Sequence, residues 1–275
     1  QVLLLALEQI QDAVAAAIET YGPTRIAVVM GTSTSGIAET EEAVKIFNTT
    51  GHWPADYRYS SQEISSPSQF LATRLGLVGI EYTISTACSS AAKALASAAR
   101  LLKMDQCDVV IAGGVDTLCG LTVQGFASLE AVSTEVSNPC SKNRCGINIG
   151  EAAGLFVVSR VPGPVVLAGV GESSDAYHIS APDPSGAGAR RAMQAALQQA
   201  HRSVADVDYI NMHGTGTVQN DKMESEAIYD LFGADVPCSS TKPLTGHCLG
   251  ASGAVEAAIC WSLLQQRYDC RLPLH

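Results

Sequence analysis

The stretch YTISTACSSAAKALASAARLL, Tyr82–Leu102, changes character at Cys88. Its first residues alternate β-branched and aromatic side chains, which predicts a buried strand over 81–86. After Cys88 the chain is small and apolar with a helical period, which predicts a helix over 88–104. A cysteine thus stands where strand passes into helix, a place usually given to Ser, Asp or Gly. Free N–H groups of a first helical turn and the helix dipole stabilise a thiolate there and raise its nucleophilicity at neutral pH. The same N–H groups can hold a tetrahedral oxyanion. The bland alternative is a small cysteine packed in a core. The junction itself favours the nucleophile.

Outward from this junction, strands and helices alternate. IAVVMGTSTSG (26–36) reads as a buried strand entering a Gly/Ser/Thr loop, and SPSQFLATRLGL as a helix with Pro67 in its first turn. VVIAGGVD (109–116) and AAGLFVVSR (152–160) are further strands, and a helix is expected around 121–130. Beyond PGP at 162–164, VVLAGVGES predicts a strand and GAGARRAMQAALQQAHRS a helix. VDYINMHGTGT then predicts a strand into a loop, NDKMESEAIYDLF a helix, and GAVEAAICWSLLQQR a last helix. Strand–helix alternation argues for parallel βαβ units in an α/β protein. The PGP break divides the chain into 1–162 and 163–275, and each half sets a small-residue helix after a loop with a candidate catalytic residue.

Composition narrows the function classes. The net charge of −10 over 275 residues argues against nucleic-acid binding, which needs a basic face. No run of about 18 apolar residues occurs, so no membrane span is expected. The opening QVLLLALEQIQDAVAAAIE carries acids and no basic leader region, and reads as an amphipathic helix. The nine cysteines are odd in number and scattered through apolar segments, which favours a reduced cytoplasmic setting over a disulfide framework. None forms Cys-x-x-Cys, and Cys140 and Cys145 have no neighbouring His, which argues against zinc.

Two other segments carry chemistry. In NMHGTGTVQNDKMESEA, His213 ends a strand, the glycines after it let the backbone bend around a ligand, and Asp221 and Glu224 lie three apart on the next helix. In SSTKPLTGHCLGASG, Lys242 and His247 share a loop directly before a helix. The order of residues around Lys242 is not that of a phosphate-cradling loop. A strand-end histidine or a loop lysine alone is more often structural. Together with Cys88, in loops at strand ends, they favour a functional reading over a structural one.

The ordered segments TACSSAAKAL, NMHGTGT and TKPLTGHCLGASG resemble the signatures of β-ketoacyl-acyl carrier protein synthases, condensing enzymes of the thiolase superfamily, and VVIAGGVD and GINIGEAAGLFVVSR resemble further recurrent segments. The resemblance covers nearly the whole chain. It implies a five-layered αβαβα fold of two similar halves and a dimer, of like or related chains, joined along the strand before the nucleophile. It makes Cys88 the acyl-accepting nucleophile. His213 and His247 become the pair that binds the malonyl thioester and supports decarboxylation, with Lys242 and Glu224 as charged support. A Cys–His–His set marks the elongating type, needing no metal or organic cofactor. The implied partner is acyl carrier protein in acyl and malonyl forms, in fatty acid, polyene or polyketide synthesis. Lys45, Arg58, Arg74 and Lys103 are candidate contacts for that acidic partner.

Two departures stand out. The family's upstream strand and its final strands, with a Gly/Phe-rich loop that supplies an oxyanion-hole N–H, are not among the 275 residues. Cys145 in SKNRCGIN occupies a place where many relatives carry an acid. The rival readings are a non-catalytic chain-length-factor-like partner and a cysteine hydrolase. Such partners typically lose the cysteine, whereas Cys88 and both histidines are present.

Overall fold

The computed structural model of the protein describes residues 1–178 and 181–265. The chain divides into two compact units, each discontinuous in sequence. One comprises Gln1–Gly125, Ile149–Gly163 and Cys248–Ile259; the other comprises Phe126–Asn148, Pro164–His247 and a segment beginning at Cys260.

The first unit is built on a sheet of β1 (Ile26–Gly31), β2 (Glu81–Ile84), β3 (Val109–Asp116) and β4 (Ala152–Ser159) in the order β2-β1-β3-β4. Every residue of β1 is buried, as a central strand covered on both faces requires. Its side chains alternate between two cores. Ile26, Val28 and Met30 pack with Val109 and Ile111 against Leu3, Leu7 and Val14 of α1 (Val2–Tyr21) and Leu71 of the helix Ser66–Leu75. Ala27 and Val29 pack with Val110 and Ala112 against Ala94, Ala98, Leu101 and Leu102 of the helix Ser90–Lys103. With α2 at Ile37–Thr50, these two helices are α3 and α4. Alanines on α4 bring that helix close to the sheet.

β1 runs parallel to β2 and β3, as βαβ units predict. β4 departs from the expectation and is antiparallel to β3, from Val109↔Ser159 to Asp116↔Ala152. The intervening segment holds α5 (Gly120–Ser128), whose Leu121 and Val123 stay exposed. Within it, Phe126–Asn148 belongs to the second unit. A parallel return would need a crossover connection, which an antiparallel pair does not.

The second unit contains α6 (Ala187–Ala200), α7 (Val218–Phe232), the short α8 (Lys242–Thr245) and a parallel pair of β5 (Ile210–Asn211) and β6 (Cys238–Ser239). The strand expected in VVLAGVGES does not form among the described residues. The Val170 N–H donates to the Gln199 side chain of α6, 2.7 Å away, instead of to a strand neighbour. The last helix, α9, covers Ser252–Gln265; Arg267, the end of the helix expected from sequence, lies outside the described residues.

Candidate active site

The nucleophile candidate sits on a turn rather than in a helix. β2 ends at Ile84 and α4 begins at Ser90, so Cys88 lies two residues ahead of the helix, not at its first position. Ala87 has φ 53°, a left-handed conformation that costs an L-residue roughly 1–2 kcal/mol. Ser90, fully buried, holds the turn in that shape. Its Oγ accepts the Thr86 N–H at 2.9 Å and donates to the Ala87 carbonyl at 2.6 Å. Ser89 adds a bond from its Oγ to the Thr86 carbonyl at 2.8 Å. The Cys88 thiol is half-buried. Behind the turn, β1 ends at Gly31, where a Cβ would lie 2.4 Å from the Ala91 nitrogen; only glycine allows strand and helix to meet so closely.

The other four candidates meet in the second unit. His213 follows β5, and its ring stands 5.1 Å from that of His247, centroid to centroid, at 85°. Lys242, 3% exposed, donates from Nζ to the His213 carbonyl and reaches His213 Nδ1 at 3.4 Å. An ammonium has only donors, so Nδ1 is the acceptor and the ring proton resides on Nε2. Glu224, on α7, accepts the N–H groups of His213 at 2.6 Å and Gly214 at 2.7 Å. It fixes the backbone on which the histidine rides. Burial raises the Glu224 pKa above its ordinary value, opposed by those two N–H groups and by the Lys242 charge. Burial, then the Lys242 charge, then His247 holds His213 well below the usual imidazole range. Burial and then Lys242 take His247 down to about 3. Both rings are therefore neutral near pH 7, each with one N–H to donate.

Several residues that sequence reasoning gave no role complete this unit. The Asn148 carbonyl accepts the His247 N–H at 2.7 Å, and its side chain accepts the Ser137 N–H at 2.6 Å. Asp221, 1% exposed, accepts the N–H groups of Cys140 at 2.7 Å and Gly216 at 3.1 Å. Desolvation, with the Asp221 charge second, pushes the Cys140 thiol up to about 11, the opposite of an activated nucleophile. Cys145 is exposed, with Sγ 3.0 Å from Ser133 Oγ. The GIN of GINIGEAAG was the available signal for Asn148; its function as a backbone latch has no pattern of its own.

The family models match this chain from end to end of its described length. "Beta-ketoacyl synthase, N-terminal domain" covers residues 1–162, and "Beta-ketoacyl synthase, C-terminal domain" covers 165–269. The chain belongs to the β-ketoacyl synthase family. Its fold is accordingly thiolase-like. The 3-oxoacyl-[acyl-carrier-protein] synthase 2 of Rhizobium meliloti (strain 1021) is 40% identical over 206 residues, 68% of this chain and 49% of that protein. Nodulation protein E of Rhizobium meliloti is 35% identical over 254 residues, 88% of this chain and 63% of that one. The chain thus spans between about half and two thirds of these relatives. Among solved structures, the ketosynthase ApeO of Xenorhabdus doucetiae, in complex with its chain length factor ApeC, superposes with a TM-score of 0.94 at 50% identity. That match covers 96% of this chain and 67% of that one.

Proposed function

We propose that the protein is an acyltransferase that performs a decarboxylative Claisen condensation, extending an acyl group by a malonyl unit held on acyl carrier protein. The observation that carries this reading is the pair of neutral imidazoles, His213 and His247, set edge to face beside a buried ammonium. A thioester needs such donors only when negative charge develops on its oxygen.

The Cys88 thiolate attacks the carrier-bound acyl thioester, forming the acyl–sulfur bond, and the carrier thiol leaves with a proton. On a malonyl thioester the bond to the carboxylate then breaks and carbon dioxide departs. The electron pair passes into an enolate, whose oxygen the His213 and His247 N–H groups stabilise. The enolate carbon attacks the acyl-Cys88 carbonyl, and the sulfur leaves as thiolate. Lys242 fixes the His213 tautomer and Glu224 its backbone. No step calls for a metal or organic cofactor.

The partners follow from the same reading: acyl carrier protein in its acyl and malonyl forms, and a second, like or related chain. β2 is an edge of its sheet among the described residues, which supports pairing there. ApeO, the relative with a chain length factor, supports a related chain as that partner. Of the candidate carrier contacts, Lys45 pairs with Glu42 and Arg58 bonds the carbonyls of Ala55 and Tyr57. Arg74 and Lys103, in the last turns of α3 and α4, complete the set. No helix among the described residues is long and apolar enough to cross a membrane. The free thiols fit a cytoplasmic setting. The division near 162–164, between the spans of the two family models, fits two similar halves.

Carbon dioxide release from malonyl carrier protein tests the reading. It should persist in Cys88→Ala and collapse in His213→Ala and His247→Ala; decarboxylation that needs Cys88 but neither histidine would sink it.

A further inference from the structure

β3 ends in a carboxylate for which the mechanism above has no use. Asp116 is 1% exposed, and no cation among the described residues pairs with it. Burying such a charge is costly unless hydrogen bonds replace its water. Here six do. Oδ1 accepts from Thr32 Oγ1 at 2.6 Å, the Ser33 N–H at 2.8 Å, the Thr34 N–H at 2.9 Å and Thr34 Oγ1 at 2.8 Å. Oδ2 accepts from the Ser33 N–H at 3.0 Å and from the Gly250 N–H. A Cβ at residue 250 would lie 2.7 Å from Oδ2, so glycine is required for that approach.

The 32–34 loop is bound in turn to the turn that carries Cys88. The Thr32 N–H donates to the Ile84 carbonyl at 3.2 Å, the last residue of β2. The Thr32 carbonyl lies 3.5 Å from Ser90 Oγ, the hydroxyl that holds Thr86 and Ala87. Gly31, one residue earlier, leaves no room for a Cβ beside the Ala91 nitrogen. A shift of the loop is thereby a shift of the backbone on both sides of Cys88.

We infer that Asp116 is a positioning residue for the nucleophile, acting through Thr32 and Ser90 to hold the turn at residues 86–90. This rests on the reading of Cys88 as the acyl acceptor. Asp116 supplies acceptors that Thr32, Ser33 and Thr34, the first three of four consecutive hydroxyl residues, need to stay ordered. The left-handed Ala87 is kept strained by bonds whose far end is this carboxylate.

The test is the pH profile of Cys88 alkylation by iodoacetamide, mapped by peptide mass spectrometry in the intact protein, with exposed Cys145 as internal control. Thr32→Val keeps the shape of Thr32 and removes its hydroxyl; Asp116→Asn removes the second acceptor oxygen. In both, the Cys88 midpoint should rise by about one pH unit, which slows labelling about tenfold below the midpoint. Thr32→Ser should keep the wild-type midpoint, and the Cys145 profile should not move. Loss of the Asp116 charge by itself would favour a thiolate and lower the midpoint, so a rise in Asp116→Asn reports lost geometry. Unmoved or lowered midpoints, with fast wild-type labelling of Cys88, would overturn the role of Asp116 and leave the nucleophile standing. Wild-type labelling of Cys88 no faster than of Cys145 would overturn both.

Discussion

Lys242→Met isolates what the buried ammonium does. The substitution keeps an unbranched side chain of similar length and removes the donor to the His213 carbonyl and Nδ1. One charge-assisted hydrogen bond to a buried group is worth roughly 1.5–3 kcal/mol. If that energy holds His213 in its productive tautomer and place, its loss slows decarboxylation about 10–100-fold, at 1.36 kcal/mol per decade. Both imidazole pKa values should rise, because the Lys242 charge is the second cause of their depression. Burial is the larger cause, so the rings should stay neutral near pH 7. The assay is carbon dioxide release from malonyl carrier protein, with nitrogen NMR of labelled His213 for the tautomer and Cys88 alkylation as a control on the first unit. Slower release with unchanged Cys88 alkylation and a mixed tautomer is the expected outcome. Full-rate decarboxylation with an unaltered His213 spectrum would refute the reasoning.

The depressed histidines carry a stability signature. Below about pH 6.5 the unfolded chain protonates His247 while the native state does not, so the His247 contribution to native stability falls by about 1.4 kcal/mol per pH unit until the folded value of about 3 is approached. Thermal melts from pH 7 to 5 should therefore fall less steeply in His247→Asn than in wild type; parallel slopes would contradict the burial argument. Gly31→Ala should destabilise by about 3 kcal/mol, since its Cβ meets backbone of α4 rather than a movable side chain. A melt within a degree or two of wild type would show that β1 and α4 can separate. The carbonyls of Ile80, just before β2, and of Ile84, at its end, accept the N–H groups of Val28 and Thr32, which turns the Thr83 N–H to the outer edge. Thr83→Pro should lower the dimer fraction in sedimentation; an intact dimer would place the interface elsewhere.

The central sheet was legible because β1 is apolar on both faces and α4 has an unbroken small-residue period. The departure at Cys88 arises because Ser90, not the cysteine, starts the helix, and the strained turn it maintains leaves no mark in a hydrophobic pattern. Strand direction was equally hidden: nothing in AAGLFVVS distinguishes parallel from antiparallel pairing. His213, His247 and Lys242 were readable as motif residues, but their shared neutrality depends on burial, which sequence alone does not give. Asp116 escaped notice because its donors lie 82–84 and 134 residues away. The hydroxyl run after β1 was its one available trace.

The most direct test of the account is the mass of the intact protein after incubation with acyl carrier proteins of varied chain length, followed by peptide mapping of the adduct. One acyl group should appear on Cys88, be absent in Cys88→Ala, and be discharged as a β-ketoacyl product when malonyl carrier protein is added. Acylation at another cysteine, an adduct retained by Cys88→Ala, or an acyl-Cys88 released only as free acid would contradict it.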